Sequence, residues 1–274
     1  MDLQMIYLTD LEELLFMIKK QFDYDFSNYS KASMLRRVNR FMEINGIRSN
    51  MELKYELINN PVIFKNFIDE IVVNVSEFFR DPSFYKSLVH NVFPYLDSYP
   101  NINIWSAGCS FGEETYSVNI LLKENNLIHK TRLYATDISP NAIEKSRKGI
   151  YPITNFKEYS KNYFECGGQN SLNDYFVSDE KDSIINSELK ENILFTNHNL
   201  VTDGVFKECQ LILCRNVLIY FDNELQNKVL KLFYDSLPIH GFLVLGKKES
   251  LRFSVVYENF KEIDRNEKIY QKIR

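Results

Sequence analysis

Four short stretches of this sequence put polar side chains where a buried strand or helix ends, and such ends are where ligands are commonly held. In residues 104–117, IWSAGCSFGEETYS, an apolar strand runs into small residues and then into Glu113 and Glu114 at a helix start. Small residues at the carboxyl end of a strand let backbone amides approach a ligand closely. The two glutamates restrict its type. At a helix N-terminus they repel a pyrophosphate and suit a cation, such as a sulfonium that also carries an ammonium group. Plain helix capping accounts for the same acids, so this stretch leaves both readings open.

In residues 133–151, LYATDISPNAIEKSRKGIY, Asp137 closes a second strand. A carboxylate at that place can accept both hydroxyls of a ribose. Asp137 follows Gly108 by 29 positions, more than the roughly 20 usual in dinucleotide folds. Capping of the next helix by Asp137 or Ser139 is compatible with ribose binding. In residues 211–226, LILCRNVLIYFDNELQ, a buried strand ends in Arg215 and Asn216, and Tyr220 precedes a helix capped by Asp222. Spacing alone makes Tyr220 one more core aromatic. In residues 74–88, NVSEFFRDPSFYKSL, Arg80 follows two phenylalanines and either serves a site or solvates a helix end.

The elements that must hold these clusters follow from periodicity. From about residue 101, short apolar strands at 103–107, 133–136, 193–196, 211–214 and 242–245 alternate with helices at 113–125, 140–149 and 222–237. Such alternation predicts an α/β fold with a doubly wound, mostly parallel sheet. Residues 268–272 are expected to close it as an edge strand. Residues 155–190, with Tyr163–Phe164, Gly167–Gly168 and Tyr175–Phe176–Val177, break the alternation and suggest a small inserted antiparallel β-hairpin. The first 85 residues read as helices. Thr9 or Asp10 caps one whose face carries Leu11, Leu14, Leu15, Ile18 and Phe22. A second carries Met34, Leu35, Val38, Phe41 and Met42 and stops at Gly46. Two more helical stretches run over 51–58 and 62–73, and another begins near Pro82. The expected division is an all-α domain plus linker over 1–85, then an α/β domain over 86–274.

Composition narrows the function classes. A chain of 274 residues with 45% hydrophobic content can bury a substantial core. It holds no apolar run long enough to span a bilayer, and its acidic start lacks the basic region of a signal peptide. The four cysteines show no C-x-x-C spacing and are expected to be reduced. Four scattered histidines form no helix-spaced metal pair, so no metal site is expected. A net charge of -4 argues against generic nucleic-acid binding. These features together predict a cytoplasmic, metal-free, globular protein.

Taken together, the stretches resemble the chemotaxis receptor (CheR-type) protein-glutamate O-methyltransferase family over nearly the whole chain and in order. NVSEFFRDPSFY is similar to the family's linker motif, WSAGCSFGEETYS to its cofactor loop, and ATDISPNAIEKSRKGIY to its second-strand acid motif. CRNVLIYFDNELQ and GFLVLGKKES resemble its two later motifs. The resemblance implies a Rossmann-like, S-adenosylmethionine-dependent methyltransferase that leaves S-adenosylhomocysteine. It implies cofactor contacts from Asn74, Ser76, Arg80, Glu114, Asp137, Asn199, Leu200, Arg215 and Asn216, and a catalytic pair, Arg80 and Tyr220. The all-α domain and the inserted hairpin are family features, and in some members the hairpin docks a receptor's C-terminal peptide. There are departures: the family usually has Thr where Ser76 stands, and Gly-His-Ser-Glu where this chain has Gly246, Lys247, Lys248 and Glu249.

The implied substrate is a glutamate of a chemoreceptor's cytoplasmic helical region. A carboxylate of unperturbed pKa ~4.3 is already ionised at neutral pH, so no general base is needed. Arg36 and Arg40 share a helical face with Arg37 beside them. That face either meets the acidic receptor helices or is simply solvated. Two rivals are a nucleic-acid methyltransferase on the same sheet, disfavoured by charge, and a non-catalytic cofactor-binding signalling module, disfavoured by the presence of both Arg80 and Tyr220.

Overall fold

The computed structural model describes residues 5–72 and 74–274. Four helices come first: α1 (Leu8–Phe22), α2 (Lys31–Asn45), α3 (Asn50–Asn59) and α4 (Pro61–Ile71). α1, α2 and α4 are amphipathic, and their apolar stripes, with Leu53 and Leu57 of α3, close one core that includes Leu11, Leu14, Ile18, Val38, Phe41, Phe67 and Ile71. Gly46 ends α2 in the left-handed region, as expected. The α1 start differs from expectation. The helix begins at Leu8, and Asp10 works from inside the first turn by accepting the Tyr7 N–H at 3.0 Å. Val73, the expected end of the fourth stretch, lies outside the described residues.

After α5 (Pro82–Asn91) and α6 (Phe93–Asp97), the chain alternates β1 (Ile102–Ala107), α7 (Glu113–Glu124), β2 (Thr131–Asp137) and α8 (Pro140–Lys148). The small strands β3 (Ile150–Pro152), β4 (Phe176–Ser178) and β5 (Asp182–Ile185) follow, with α9 (Phe156–Glu165) between the first two. Then come β6 (Ile193–Asn197), β7 (Leu211–Cys214), α10 (Asn223–Ser236), β8 (Phe242–Leu245), β9 (Phe260–Asp264) and β10 (Ile269–Lys272). The main sheet has the order β6-β2-β1-β7-β8-β10-β9. Its first five strands are parallel, and β10 runs antiparallel to β8 and β9. The chain winds outward from β1 to β2 and β6, then returns to β7 and β8 on the other side. The sheet therefore reverses its winding between β1 and β7, and a crevice opens at the carboxyl ends of those strands.

Two expectations are corrected. Residues 269–272 form an inner strand, and β9 takes the edge beyond it. Only Phe260 of β9 is buried, so the strand carries no alternation to betray it. The insertion is a three-stranded antiparallel sheet, β3-β5-β4, rather than a lone hairpin. Tyr163 and Phe164 lie in α9 and not in a strand. The hydroxyls of Tyr163 and Tyr175 both donate to Glu124 on α7, tethering the insertion to the main domain.

Packing on the sheet's two faces is mostly apolar, and the buried Ser106 and Thr136 find side-chain hydrogen-bond partners within it. Leu133, at the middle of β2, is fully buried between paired strands β1 and β6. Leu133→Ala should therefore lower unfolding free energy by about 2–5 kcal/mol, read by urea denaturation; a loss under about 1 kcal/mol would contradict this packing.

Candidate active site

A cavity of about 370 Å³ opens at the reversal between β1 and β7, within the size range of small-molecule sites. Asn74, Ser76, Arg80, Glu114, Asp137, Asn199, Leu200, Arg215, Asn216 and Tyr220 all line it. These residues come from five separate stretches of chain, and the fold brings them to one place.

The linker delivers Arg80 through a sharp turn. Phe79 and Asp81 both have positive φ, 55° and 60°, which non-glycine residues seldom adopt. Burial holds that conformation: Phe78 and Phe79 are wholly inside, and the Phe79 N–H donates to Ser117 Oγ at 3.0 Å. With both rings turned inward, the half-buried Arg80 side chain is left on the cavity side.

Asp137 is buried, and each of its oxygens accepts one backbone N–H, from Ser139 at 2.9 Å and from Ser110 at 2.8 Å. Burial pushes its pKa up and the backbone bonds oppose that rise. A carboxylate offers about four lone-pair directions, so two amide bonds leave capacity for two more donors. Ser139, not Asp137, caps α8, its Oγ accepting the Ala142 N–H.

The paired glutamates part company. Glu114 lines the cavity and accepts from Arg215 at 2.7 Å, while the other arm of the guanidinium reaches Asp81, also at 2.7 Å. Arg215 also lies 4.1 Å over the Phe84 ring. It is thus a clamp between α7, β7 and the start of α5, and Glu114 meets the cavity already paired. Glu113 is buried away from the cavity lining, with Oε2 unpartnered. Burial pushes its carboxyl up to about 7, partly offset by bonds to its own backbone and to Ser76. Of the two acids expected at a cation site, only Glu114 lines the cavity, because neighbouring helical residues project about 100° apart.

Asn216 takes positive φ, 62°. Its N–H donates to Glu249 at 3.0 Å, and the same oxygen accepts from Gly246. A side chain at Gly246 would come within 2.8 Å of the Asn216 nitrogen, so only glycine fits this contact. The closed 246–249 turn separates the two lysines. Lys247 points to Ser83, Asp81 and Glu267, whereas Lys248 lines the cavity.

Tyr220 is half-buried beside the cavity. Burial raises its pKa while Arg37 and Arg80 pull the other way, and the net rise leaves a neutral phenol. Its carbonyl accepts the Ser30 N–H at 2.9 Å, and the Asp222 N–H donates to the Asn28 carbonyl at 3.0 Å. The all-α domain thereby supplies a wall that the sequence reading missed: Tyr29, Ser30, Ser33 and Met34. Arg36, Arg37 and Arg40 do not line the cavity. Arg36 and Arg40 are exposed; Arg37 donates to the Glu70 carbonyl at 3.0 Å, and Arg40 lies 3.4 Å from the Glu70 carboxylate. Cys109 lines the cavity too, and burial drives its thiol pKa well up, so it remains neutral. Among the described residues no cluster of His, Cys, Asp and Glu could hold a metal, and no helix is long and apolar enough to cross a membrane.

These residues fit S-adenosylmethionine. Asp137 has unused acceptor capacity for a ribose, Glu114 is an acid at the cavity wall, and Ser110 Oγ and His198 Nδ1 have no partner within the protein. Comparison with known proteins agrees. Residues 74–269 match the family model described as CheR methyltransferase, SAM binding domain, and residues 9–72 match its all-alpha domain. The chain is 40% identical over 266 residues to a Pseudomonas putida protein provisionally named methyltransferase Cher3, covering 96% of this chain and 97% of that one. It is 30% identical to the chemotaxis protein methyltransferase of Listeria monocytogenes, covering 85% and 87% of the two chains. The Borreliella burgdorferi protein of the same name is also 30% identical, with 89% and 88% covered.

Glu113 yields a pH test. Its folded pKa of about 7 exceeds the ordinary 4.5, so the folded state binds the extra proton. Stability is then full below about 4.5 and is lost as pH rises through about 7. Glu113→Gln, which stays neutral, should gain about 2 to 3 kcal/mol over wild type between pH 5 and pH 8 by denaturant unfolding. Parallel pH curves for the two proteins would refute the assignment.

Proposed function

This chain belongs to the CheR methyltransferase family, and from that premise we propose that it methylates glutamate side chains of chemoreceptors, forming glutamate methyl esters. The family makes it an S-adenosylmethionine-dependent methyltransferase of chemotaxis; the glutamate acceptor, the receptor partner, the site roles and a cytoplasmic location are our reading. The observation that carries it is that the cavity wall holds both acids and cations without ion-pair partners. Asp137, Glu114 and Glu77 line the wall together with Arg80, Lys248 and the ion-paired Arg215, and with Tyr220, which feels the charge of Arg37 and Arg80. Neither Arg80 nor Lys248 has a salt-bridge partner among the described residues, where Lys247 and Arg215 do. A cationic donor and an anionic acceptor are the reactants such a cavity suits.

When bound, S-adenosylmethionine supplies an electrophilic methyl group on a sulfonium. Asp137 holds the nucleoside by its ribose, with Asn199 and Leu200 beside it and Asn74 and Ser76 on the linker side. Ser76 keeps the hydroxyl that the family's threonine would offer. Glu114 faces the ammonium end and is kept in place by Arg215; Asn216, pinned by Glu249, completes that wall. An acceptor glutamate is ionised at neutral pH, so esterifying it moves no proton and needs no base. Arg80 orients the acceptor carboxylate by charge and hydrogen bonding. Tyr220, a neutral phenol, donates a hydrogen bond near the reacting atoms. Closing the cavity with Tyr29, Ser30 and Met34 excludes water that would weaken these contacts.

Purified protein with labelled S-adenosylmethionine and receptor-bearing membranes should yield label that alkali releases as methanol. Label that resists alkali would mean another acceptor, and no transfer would mean no methylation of these receptors. Tyr220→Phe and Arg80→Ala should each cut turnover by about a hundredfold, Tyr220→Phe with little change in S-adenosylhomocysteine affinity; wild-type turnover in both would remove them from catalysis. For the partner surface, Arg36→Glu with Arg40→Glu should raise KM for receptor membranes about tenfold and leave S-adenosylhomocysteine affinity unchanged. An unchanged KM would return that face to plain solvation.

A further inference from the structure

The turn that presents Asp137 is gripped by the all-α domain at three points. Ile138 packs against the helical core built by α1 to α4. Asp69 of α4 accepts the Ser139 hydroxyl at 2.6 Å with one oxygen. Its other oxygen accepts the Asn141 side-chain amide at 2.7 Å. Ser139 in turn donates its N–H to Asp137 at 2.9 Å and caps α8 with its oxygen. A chain of contacts thus runs from α4 through one buried serine to the carboxylate read above as the ribose acceptor.

The pairing is electrostatically uphill. Burial is the main cause of the raised Asp137 pKa and Asp69 adds a smaller rise, so two carboxylates share one neighbourhood. Such proximity costs free energy unless each acid is separately satisfied. Both are: Asp69 by side-chain donors, Asp137 by backbone amides. If Asp69 were removed, the buried Ser139 hydroxyl would lose its acceptor and the Asn141 amide its anchor. The hydroxyl proton would then seek other acceptors, and Asp137 is the nearest anion in the same turn.

We propose that Asp69 is a positioning residue for the cofactor site: it holds the 138–141 turn so that Asp137 keeps its remaining acceptor directions for the ribose. Cofactor affinity is then coupled to docking of the all-α domain, although α4 lines the cavity only with the apolar Ile71. The inference rests on the reading of Asp137 given above.

The test is calorimetric titration of S-adenosylhomocysteine into the full-length wild type, Asp69→Ala, Asp137→Asn and the double variant, with a thermal scan of each. Asp69→Ala should weaken binding about tenfold. In the Asp137→Asn background the same change should alter affinity less than about twofold, because its effect passes through Asp137. Asp69→Asn, which keeps an acceptor for Ser139, should recover most of the loss. Wild-type affinity in a folded Asp69→Ala, or losses that multiply in the double variant, would overturn the proposal. Should Asp69→Ala fail to fold, Asn141→Ala removes one of the two bonds and must still weaken binding in the Asp137-dependent manner. If Asp137→Asn itself binds normally, the reading of Asp137 falls first, and a normal Asp69→Ala beside an impaired Asp137→Asn would sink the coupling alone.

Discussion

The geometry of the site depends on one buried cation. Arg215 is almost sealed from solvent, and a guanidinium cannot shed its charge there, so it must be met by anions. Glu114 and Asp81 meet it at 2.7 Å each, from residues 101 and 134 positions away in the chain. The pair locks together the end of β7, the start of α7 and the left-handed entry to α5. That entry is the turn that frees Arg80. Losing one partner would strand a buried charge, which costs far more than the pair gains, so the constraint acts on register and orientation more than on net stability.

With Arg215 clamped, the cavity wall keeps both acids and cations that have no ion pair. Glu114 is spent on Arg215 yet still faces inward, and Asp137 is held by amides with acceptor capacity to spare. Elsewhere in the lining, the exposed Lys248 and Arg80 carry no ion pair among the described residues. The departure from Gly-His-Ser-Glu acquires a physical sense here. The turn closed by Glu249 splits the two lysines, one onto Asp81 and Glu267, the other into the cavity. Lys247 thus reinforces the Arg215 cluster from outside by adding a cation near Asp81.

The all-α domain is more than an appendage. Its 28–30 segment is hydrogen-bonded to 220–222, and Tyr29 packs edge-on against Phe221 with centroids 4.9 Å apart. Its α4 reaches the turn after β2. Two sides of the cavity are therefore built on contacts between domains, and their geometry is set by docking.

Much of this architecture is legible in the residues themselves. The strand ends at Ala107, Asp137 and Cys214, the stop at Gly46 and the cap at Asp222 are local signals, because apolar periodicity and capping act over a few residues. The resemblance carried by FFRD and CRNVLIYF gathered the site residues that the cavity unites. What stayed hidden is non-local. Periodicity cannot say that Glu114 faces the cavity while Glu113 turns inward, for that depends on which side α7 packs. It cannot show β9, which has one buried residue, nor Asp69 meeting Ser139 across 70 positions. Sequence alone determined which segments become strands and helices, and where their polar ends lie. Only the tertiary structure decided which of those ends meet, because the pairing of buried charges is a property of distances that no local pattern encodes.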